Sequence, residues 1–533
     1  MNKKHPGVIL CLLAWWGLAF SSSVVPGQKD KEEKPRPGGT LRIKPFTNVL
    51  NLTLDPAAKA DIFLLEQLYD GLVRLDKDLN VAPALAEYWT ISPDGQTYAF
   101  YLRRGVRFHS GRELTSADVK YSLERILDRG AASTYVQVFL NRVEGARDFW
   151  TGRASHVSGF RAVRDHLFEI HWTKPYVSGL YLLSMSYCKI LPRDLVRDQG
   201  RDFFWRPVGT GPFRFAYWLR GTRLEIVGVR LERNPRYFSG RPHLEAIEYS
   251  PFYTLDHFKR GEIDIIPFFS ESLAGSDCRI QEEGSLEAVH LGLSCHIPPF
   301  DDPAVRRAVS LAVDRGRIAR AATTSESVPR LLHNFVPPRL PGFFPVAEDM
   351  EADVDAARLL LEKAGYPDSK PLPAMTLFVR DVRREAYVRL FRELQIQLKA
   401  LGFRLSLRSY KRERDVLGSR RPYLVLIEQR MEFPDADSFL RTLFLSKSTQ
   451  NLIGYANPLF DRLLEEADVE RSWTKRLEML RRAERLLAAD MPALPLFTPS
   501  RRMAIQPRIC GVDVPPLGFP YLNTGKIWIR KGG

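Results

Sequence analysis

Between Val81 and Lys120 the spacing of apolar residues changes from one period to another. Tyr98, Phe100 and Leu102 alternate with other residues, the period of a half-buried strand, whereas Val119, Leu123 and Ile126 recur at helical spacing. Turn signals stand between them. Ser92-Pro93-Asp94-Gly95 predicts a tight turn, Arg104-Gly105 a second, and Thr115-Ser116-Ala117-Asp118 is a capping-box pattern that opens the helix. Similar patterns recur along the chain. Ile62, Leu65, Leu68 and Tyr69 make one helical face that stops at Gly71. Asp302-Pro303 predicts a helix start, Asp as cap and Pro in the first turn, followed by the apolar face Val305, Ala308, Val309 and Ala312. Asp353 predicts another cap, with Ala357, Leu360, Leu361 and Ala364 inward and Gly365 as the stop. Phe391 to Gly402 reads as a helix, and Phe403 to Leu407 as the strand after it. Helices and strands alternate, which predicts a mixed α/β chain.

The particular residues add a resemblance. Pro83 to Trp89 (PALAEYW), Ser92 to Gly95 (SPDG), Phe100 to Gly111 (FYLRRGVRFHSG) and Thr115 to Val119 (TSADV) follow one another. This order closely resembles the signature of the family 5 extracellular solute-binding proteins, receptors of ABC importers for dipeptides, oligopeptides or nickel. Further matches run along the chain. They are Gly38-Gly39 before a strand, Leu52 to Pro56 (LTLDP), Val208 to Phe213 (VGTGPF), Arg233 to Phe238 (RNPRYF), Gly261 to Asp264 (GEID) and Gly454 to Pro458 (GYANP). The helix Asp302 to Arg315 and the closing segment Arg476 to Phe497 also match. The resemblance is strongest before Lys120 and weakest between Leu372 and Leu440.

It implies an α/β fold of the two-lobed periplasmic-binding-protein type, with a hinge and an inserted extra subdomain in lobe one. The expected division is a signal peptide over 1–23 and a tether over 24–37. Lobe one follows as 38–78, 205–269 and 494–533, the inserted subdomain as 79–204, and lobe two as 270–493. Two crossings, near Pro267 to Ser270 and Leu494 to Thr498, would make the hinge, and ligand would sit between the lobes.

The N-terminal pattern agrees with export. Lys3 and Lys4 precede the apolar run Val8 to Phe20, which is short for a membrane span, and small residues follow at Ser21 to Ser23. An extracytoplasmic location is expected, with an anchored form as the alternative. Cys11 lies inside the apolar run behind Ile9 and Leu10, which excludes it as a lipidation site. The other four cysteines form no C-x-x-C pair; Cys278 and Cys295 either close a short loop or stay free. A net charge of +15 invites a nucleic-acid reading, but the arginines are scattered and no nucleic-acid module is present, so nucleic acid is not an expected partner. An arginine-rich solvated surface is one reading of the charge; a field favouring anionic ligands or membrane headgroups is the other.

Catalytic motifs are missing: no H-E-x-x-H, G-x-S-x-G, Walker loop or G-x-G-x-x-G occurs. His243 and Glu245 lack a further ligand at metal spacing, and His109 belongs to the signature as a structural residue. The expectation is a monomeric binding protein, not an enzyme, with no cofactor and no metal. Its partners would be a peptide or other small solute and a membrane ABC permease complex. A receptor for a chelated metal, a sugar or a modified peptide remains open, as does a secreted hydrolase or envelope scaffold. In peptide-binding members an Asp in a G-W-x-x-D segment meets the ligand amine. Aligned on Phe439, that Asp falls at Glu432, with Asp435 next in line, and the G-W pair falls at Glu428-Gln429, a clear departure. The ligand carboxylate would be met by Arg380, Arg383 or Arg384, because a guanidinium binds a carboxylate through two parallel bonds. Thr47 and Asn48, in the loop after the first strand, would bond ligand polar groups. Trp218 and Tyr455 are possible aromatic walls or core residues.

Overall fold

The computed structural model describes residues 34–530 except 47–49, 51–52, 59, 134, 268–272, 274–276, 284–285, 325–326, 339, 341–350, 367–370, 382 and 432. Residues from Arg36 onward form one compact unit. The expected Thr47, Asn48, Glu432 and the first crossing after Pro267 fall largely or wholly outside the described residues, as do the proposed signal peptide and most of the tether.

A twelve-stranded sheet organises the unit, and the strand Ala493–Ile505 runs through its middle. Its first residues pair with Glu287–Leu293, which continues through Tyr423–Arg430 and Ala374–Val379 to Arg404–Ser409. Its last residues pair with Ile265–Pro267, which continues through Thr40–Ile43, Ala246–Tyr249 and Ile226–Arg233 to the edge strand Phe213–Arg220. The strand is 13 residues long, or about 43 Å at 3.3 Å per residue. It therefore belongs to both halves of the sheet at once.

Each half has its own core. On the Glu287 side, helices Pro303–Ala312, Val354–Lys363 and Glu385–Lys399 bury Val305, Val309, Leu361 and Leu390 against one sheet face. Helices Ala436–Phe444, Pro458–Val469 and Trp473–Asp490 bury Phe439, Phe444, Phe460 and Leu480 against the other. On the Thr40 side, helix Ile62–Leu68 packs Phe63, Leu64 and Leu68 with Leu41, Ile43 and Ile247. The segment between the two halves of this core has a sheet of its own, ordered Ala86–Ile91, Thr97–Leu102, Leu167–His171 and Phe160–Arg164. Helix Ser116–Leu127 covers it with Val119, Leu123 and Ile126, the stripe expected from their spacing.

Capping explains several of the boundaries. Asp302 accepts from Ala304 N–H at 2.8 Å, Asp353 from Ala356 N–H at 2.8 Å, and the Thr115–Asp118 capping box is closed in both directions. The helix expected over 391–402 begins earlier, at Glu385, because Ala386, Tyr387 and Leu390 extend its buried face by more than a turn. Two of the matched motifs meet at Asp70, whose carboxylate accepts from Thr210 Oγ1 at 2.8 Å and the Tyr237 hydroxyl at 2.9 Å. His109 joins the same region. Gly209 N–H donates to its Nδ1 at 3.2 Å, so Nε2 carries the proton toward the Gly211 carbonyl at 3.0 Å. Burial drives this imidazole down to about 4, so it is a neutral clamp on the Gly209-Thr210-Gly211 loop. Cys278 and Cys295 are free thiols, which removes the loop-closing disulfide. No helix among the described residues is long and apolar enough to cross a membrane.

Candidate functional site

A cleft of about 970 Å³ is lined by residues from both halves of the sheet. One wall is aromatic. Asp61 caps helix Ile62–Leu68 and accepts the Tyr249 hydroxyl at 2.6 Å, which fixes the first helical turn against strand Ala246–Tyr249. Phe63 then lies between Tyr249 and Phe519, its ring parallel to both with centroids 5.2 Å away, and Phe46 meets Phe519 edge-on. Burial raises the Asp61 carboxyl above its usual range against the opposing pull of its Tyr249 and backbone hydrogen bonds.

The facing wall is charged, and strand register makes it so. Glu287 stands opposite Arg430, and Val289 opposite Glu428. Residues two apart share a sheet face, so all four reach the cleft together. Arg430 pairs with Glu287 at 3.2 Å, and Arg501 from the long shared strand approaches the same carboxylate at 3.8 Å. Arg384 pairs with Glu428 at 3.4 Å, contacts the Tyr387 hydroxyl and lies over the Tyr387 ring at 4.3 Å. The Arg501 guanidinium also lies over the Phe46 ring, 5.5 Å from its centre. Three guanidiniums thus share two carboxylates, and the Asp61 carboxyl stands in the aromatic wall, so groups of both signs lie beside an aromatic surface. Such a site can hold an organic solute that carries a carboxylate and an apolar body.

The sequence-expected residues are placed differently. Asp435 is turned away from the cleft. Its carboxylate accepts from Arg476 at 2.8 and 3.0 Å and from the Ser178 hydroxyl, and it caps helix Ala436–Phe444 through Asp437 N–H at 3.0 Å. Arg476 and Asp435 expose only 1% and 2% of their side chains, so this is an internal ion pair in place of a ligand contact. Arg380 pairs with Glu413 at 3.3 Å and lies over the Tyr410 ring, outside the cleft. Arg383 pairs with its neighbour Asp381 at 3.0 Å and is 88% exposed. Of the three arginines considered for a carboxylate, only Arg384 lines the cleft. Trp218 donates its indole N–H to the Trp205 carbonyl on the far edge of the sheet, and Tyr455 is buried with its hydroxyl 2.7 Å from Asp490. Glu432, Thr47 and Asn48 lie outside the described residues. Sequence reasoning passed over Glu287, Arg430, Arg501, Phe63, Tyr249 and Phe519. The one signal for this wall was Glu428, noticed only as the residue replacing a glycine.

Among the described residues no cluster of three or more His, Cys, Asp or Glu is arranged to hold a metal ion. Known proteins share this architecture. A curated relative, "Probable deoxycholate-binding periplasmic protein YgiS" of Escherichia coli, is 27% identical over 90% of this chain and 91% of its own length. "Di/tripeptide-binding protein 2" of Pseudomonas aeruginosa is 25% identical over 84% of this chain and 87% of its own. The solved structure of HbpA2 from Haemophilus parasuis superposes with a TM-score of 0.79 at 23% identity, over 92% of this chain and 100% of that one. That likeness gives the two-lobed solute-binding fold. The model described as "Bacterial extracellular solute-binding proteins, family 5 Middle" matches residues 80–451, and the chain belongs to that family.

Proposed function

We propose that the chain is an extracytoplasmic receptor that captures a short peptide between its lobes and delivers it to an ABC permease without altering it. The single observation that carries this reading is the cleft itself. An aromatic wall faces paired carboxylates and guanidiniums, and a zwitterion with apolar side chains complements both. Solved relatives described as peptide complexes, and curated relatives named for dipeptides and oligopeptides, support the solute class. The relatives named as periplasmic support the location. The boundaries 38–78, 79–204, 205–269, 270–493 and 494–533 belong to this proposal, and the strand Ala493–Ile505, which pairs with both halves of the sheet, supports a crossing near Leu494. In this reading Glu432 takes the ligand amine, Thr47 and Asn48 bond the ligand backbone, and Arg384 replaces Arg380 and Arg383 as the carboxylate anchor. Closure would bring the walls together and exclude water, so the ligand stabilises the closed state.

The test is calorimetric titration with di- to pentapeptides, followed by mass spectrometry of the recovered ligand. Saturable binding with the peptide intact supports a receptor; cleaved peptide would make it a hydrolase. A second reading follows from Glu428, which puts a charged side chain where peptide-binding members carry a glycine. With Arg384 on the same wall and stacked rings on the facing one, loss of that glycine favours a compact amphipathic carboxylate, the class to which the deoxycholate named for the YgiS relative belongs. Deoxycholate in the same titration distinguishes the two.

A further inference from the structure

A second hollow, of about 580 Å³, lies on the outer edge of the sheet, along strand Phe213–Arg220. Arg206, Arg214 and Arg220 line it, and among the described residues no carboxylate does. Among the described residues Arg214 has a single acidic partner, Glu232 at 3.3 Å on the neighbouring strand, and the Arg220 guanidinium donates only to the Leu224 carbonyl at 2.9 Å. Aromatic rings stand among the guanidiniums. Trp218 lines the hollow and packs edge-on against Trp205 at 5.9 Å; Tyr217 is 52% exposed and Trp205 45%. Beyond them the turn residue Leu224 is 74% exposed. Exposed Trp, Tyr and Leu beside three arginines with a single carboxylate partner between them among the described residues is the composition of surfaces that rest at a lipid headgroup layer. There the rings enter the interface and each guanidinium takes a phosphate through parallel N–H bonds.

Strand register adds the orientation. Thr40 stands opposite Ala246, Ala246 opposite Glu232, and Glu232 opposite Arg214. The point where the chain enters the sheet is therefore in one row with the hollow, about 14 Å away at ~4.8 Å per strand. A chain held near a membrane by the residues before Thr40 would present this edge to it. The strand is also the last of its sheet, and its irregular pairing at Phe215/Tyr217 and Leu219/Arg220 discourages addition of another strand.

We propose that this arginine–aromatic edge is a docking surface for the anionic phospholipid headgroups of the membrane, separate from the solute cleft. It rests on the extracytoplasmic location in the proposed function but not on the identity of the solute. It also gives part of the +15 net charge a specific use.

The test is flotation of the full chain with vesicles of phosphatidylcholine alone or mixed with phosphatidylglycerol, at low and high salt. Binding should require phosphatidylglycerol and weaken with salt. The triple variant Arg206→Gln, Arg214→Gln, Arg220→Gln should lose about a hundredfold in partitioning. Its unfolding temperature should hold, because all three guanidiniums are exposed. Tyr217→Ser should weaken binding to both salt conditions alike. Peptide titration of the triple variant should match the wild type, so loss of docking and loss of the receptor reading are told apart. Equal flotation with both vesicle types, or a triple variant that floats like the wild type, overturns the proposal. Displacement from vesicles by millimolar glycerol 1-phosphate would also overturn it, because the site would then be built for a soluble phosphate.

Discussion

The buried pair Asp435–Arg476 offers a demanding test, because one residue does two separable things. Asp435 neutralises a guanidinium that is 1% exposed, and it caps helix Ala436–Phe444. Losing an Asp N-cap costs about 1 kcal/mol. Stranding a buried partner charge costs about 3–5 kcal/mol. Asp435→Ala does both, so about 4–6 kcal/mol is expected. Asp435→Asn keeps an oxygen for the Asp437 N–H and removes only the charge, so it should cost about 1 kcal/mol less than the alanine. Arg476→Met strands the carboxylate in turn, leaving it the Ser178 hydroxyl and the backbone N–H. Combining Asp435→Asn with Arg476→Met removes both charges, and the double variant should recover at least 2 kcal/mol of the summed single losses. Urea unfolding followed by tryptophan fluorescence and by circular dichroism gives the cycle, with coincident transitions as the check on two-state treatment. Two single variants within 1 kcal/mol of the wild type, or strictly additive losses, would show that the pair is not the electrostatic unit described. Solute titration of Asp435→Asn adds a functional arm. Its affinity should stay within twofold, and a large loss in a folded protein would return Asp435 to the ligand.

Other outcomes follow from the same structure. Glu484 is 6% exposed and burial drives its carboxyl up to about 8, so the native state holds a proton that the unfolded state releases. That contribution is complete below about pH 4.5 and is lost as pH rises toward 8, a penalty of about 3 kcal/mol at pH 7. Glu484→Gln should therefore flatten the urea midpoint between pH 5 and 8 and raise it at the upper end; an unchanged slope would refute the assignment. A Cβ on Gly209 or Gly211 would collide with the Leu68 carbonyl or its carbon, so Gly209→Ala should lower the melting temperature by several degrees, whereas Gly105→Ala, which meets open space, should be milder in packing terms. Glu428→Gln frees Arg384 from its partner. It should tighten binding of carboxylate solutes severalfold in calorimetric titration, and an unchanged affinity would argue against Glu428 as a ligand-facing group. Glu432→Gln should weaken free peptides by about 2–5 kcal/mol and spare N-acetylated ones, measured by calorimetry.

The local order of this protein is written in its chain. Asp302, Asp353, Thr115 and Asp118 start helices through their own side chains, and Val119, Leu123 and Ile126 need only helical spacing to share a face. Signature residues such as His109 find their partners only in the folded chain, since Gly209 lies 100 residues from His109 and Thr210 lies 140 from Asp70. The cleft is settled there too. Its walls come from residues as far apart as Phe63 and Phe519 or Glu287 and Arg501, and which of them face each other depends on strand register and on the path of Ala493–Ile505 through both halves. A one-residue slip in register would turn Glu428 and Arg430 to the opposite face. Composition likewise could not separate Arg384 from Arg380 and Arg383, three arginines within five positions. Only the packing of helix Glu385–Lys399 aims the first at the cleft and leaves the others with Glu413 and Asp381. Asp435 carried the charge expected of a ligand group, and the folded chain supplied Arg476, 41 residues later, as its counter-ion. A charge in the sequence has no assigned partner until tertiary packing removes it from water, and that is where the sequence alone stops.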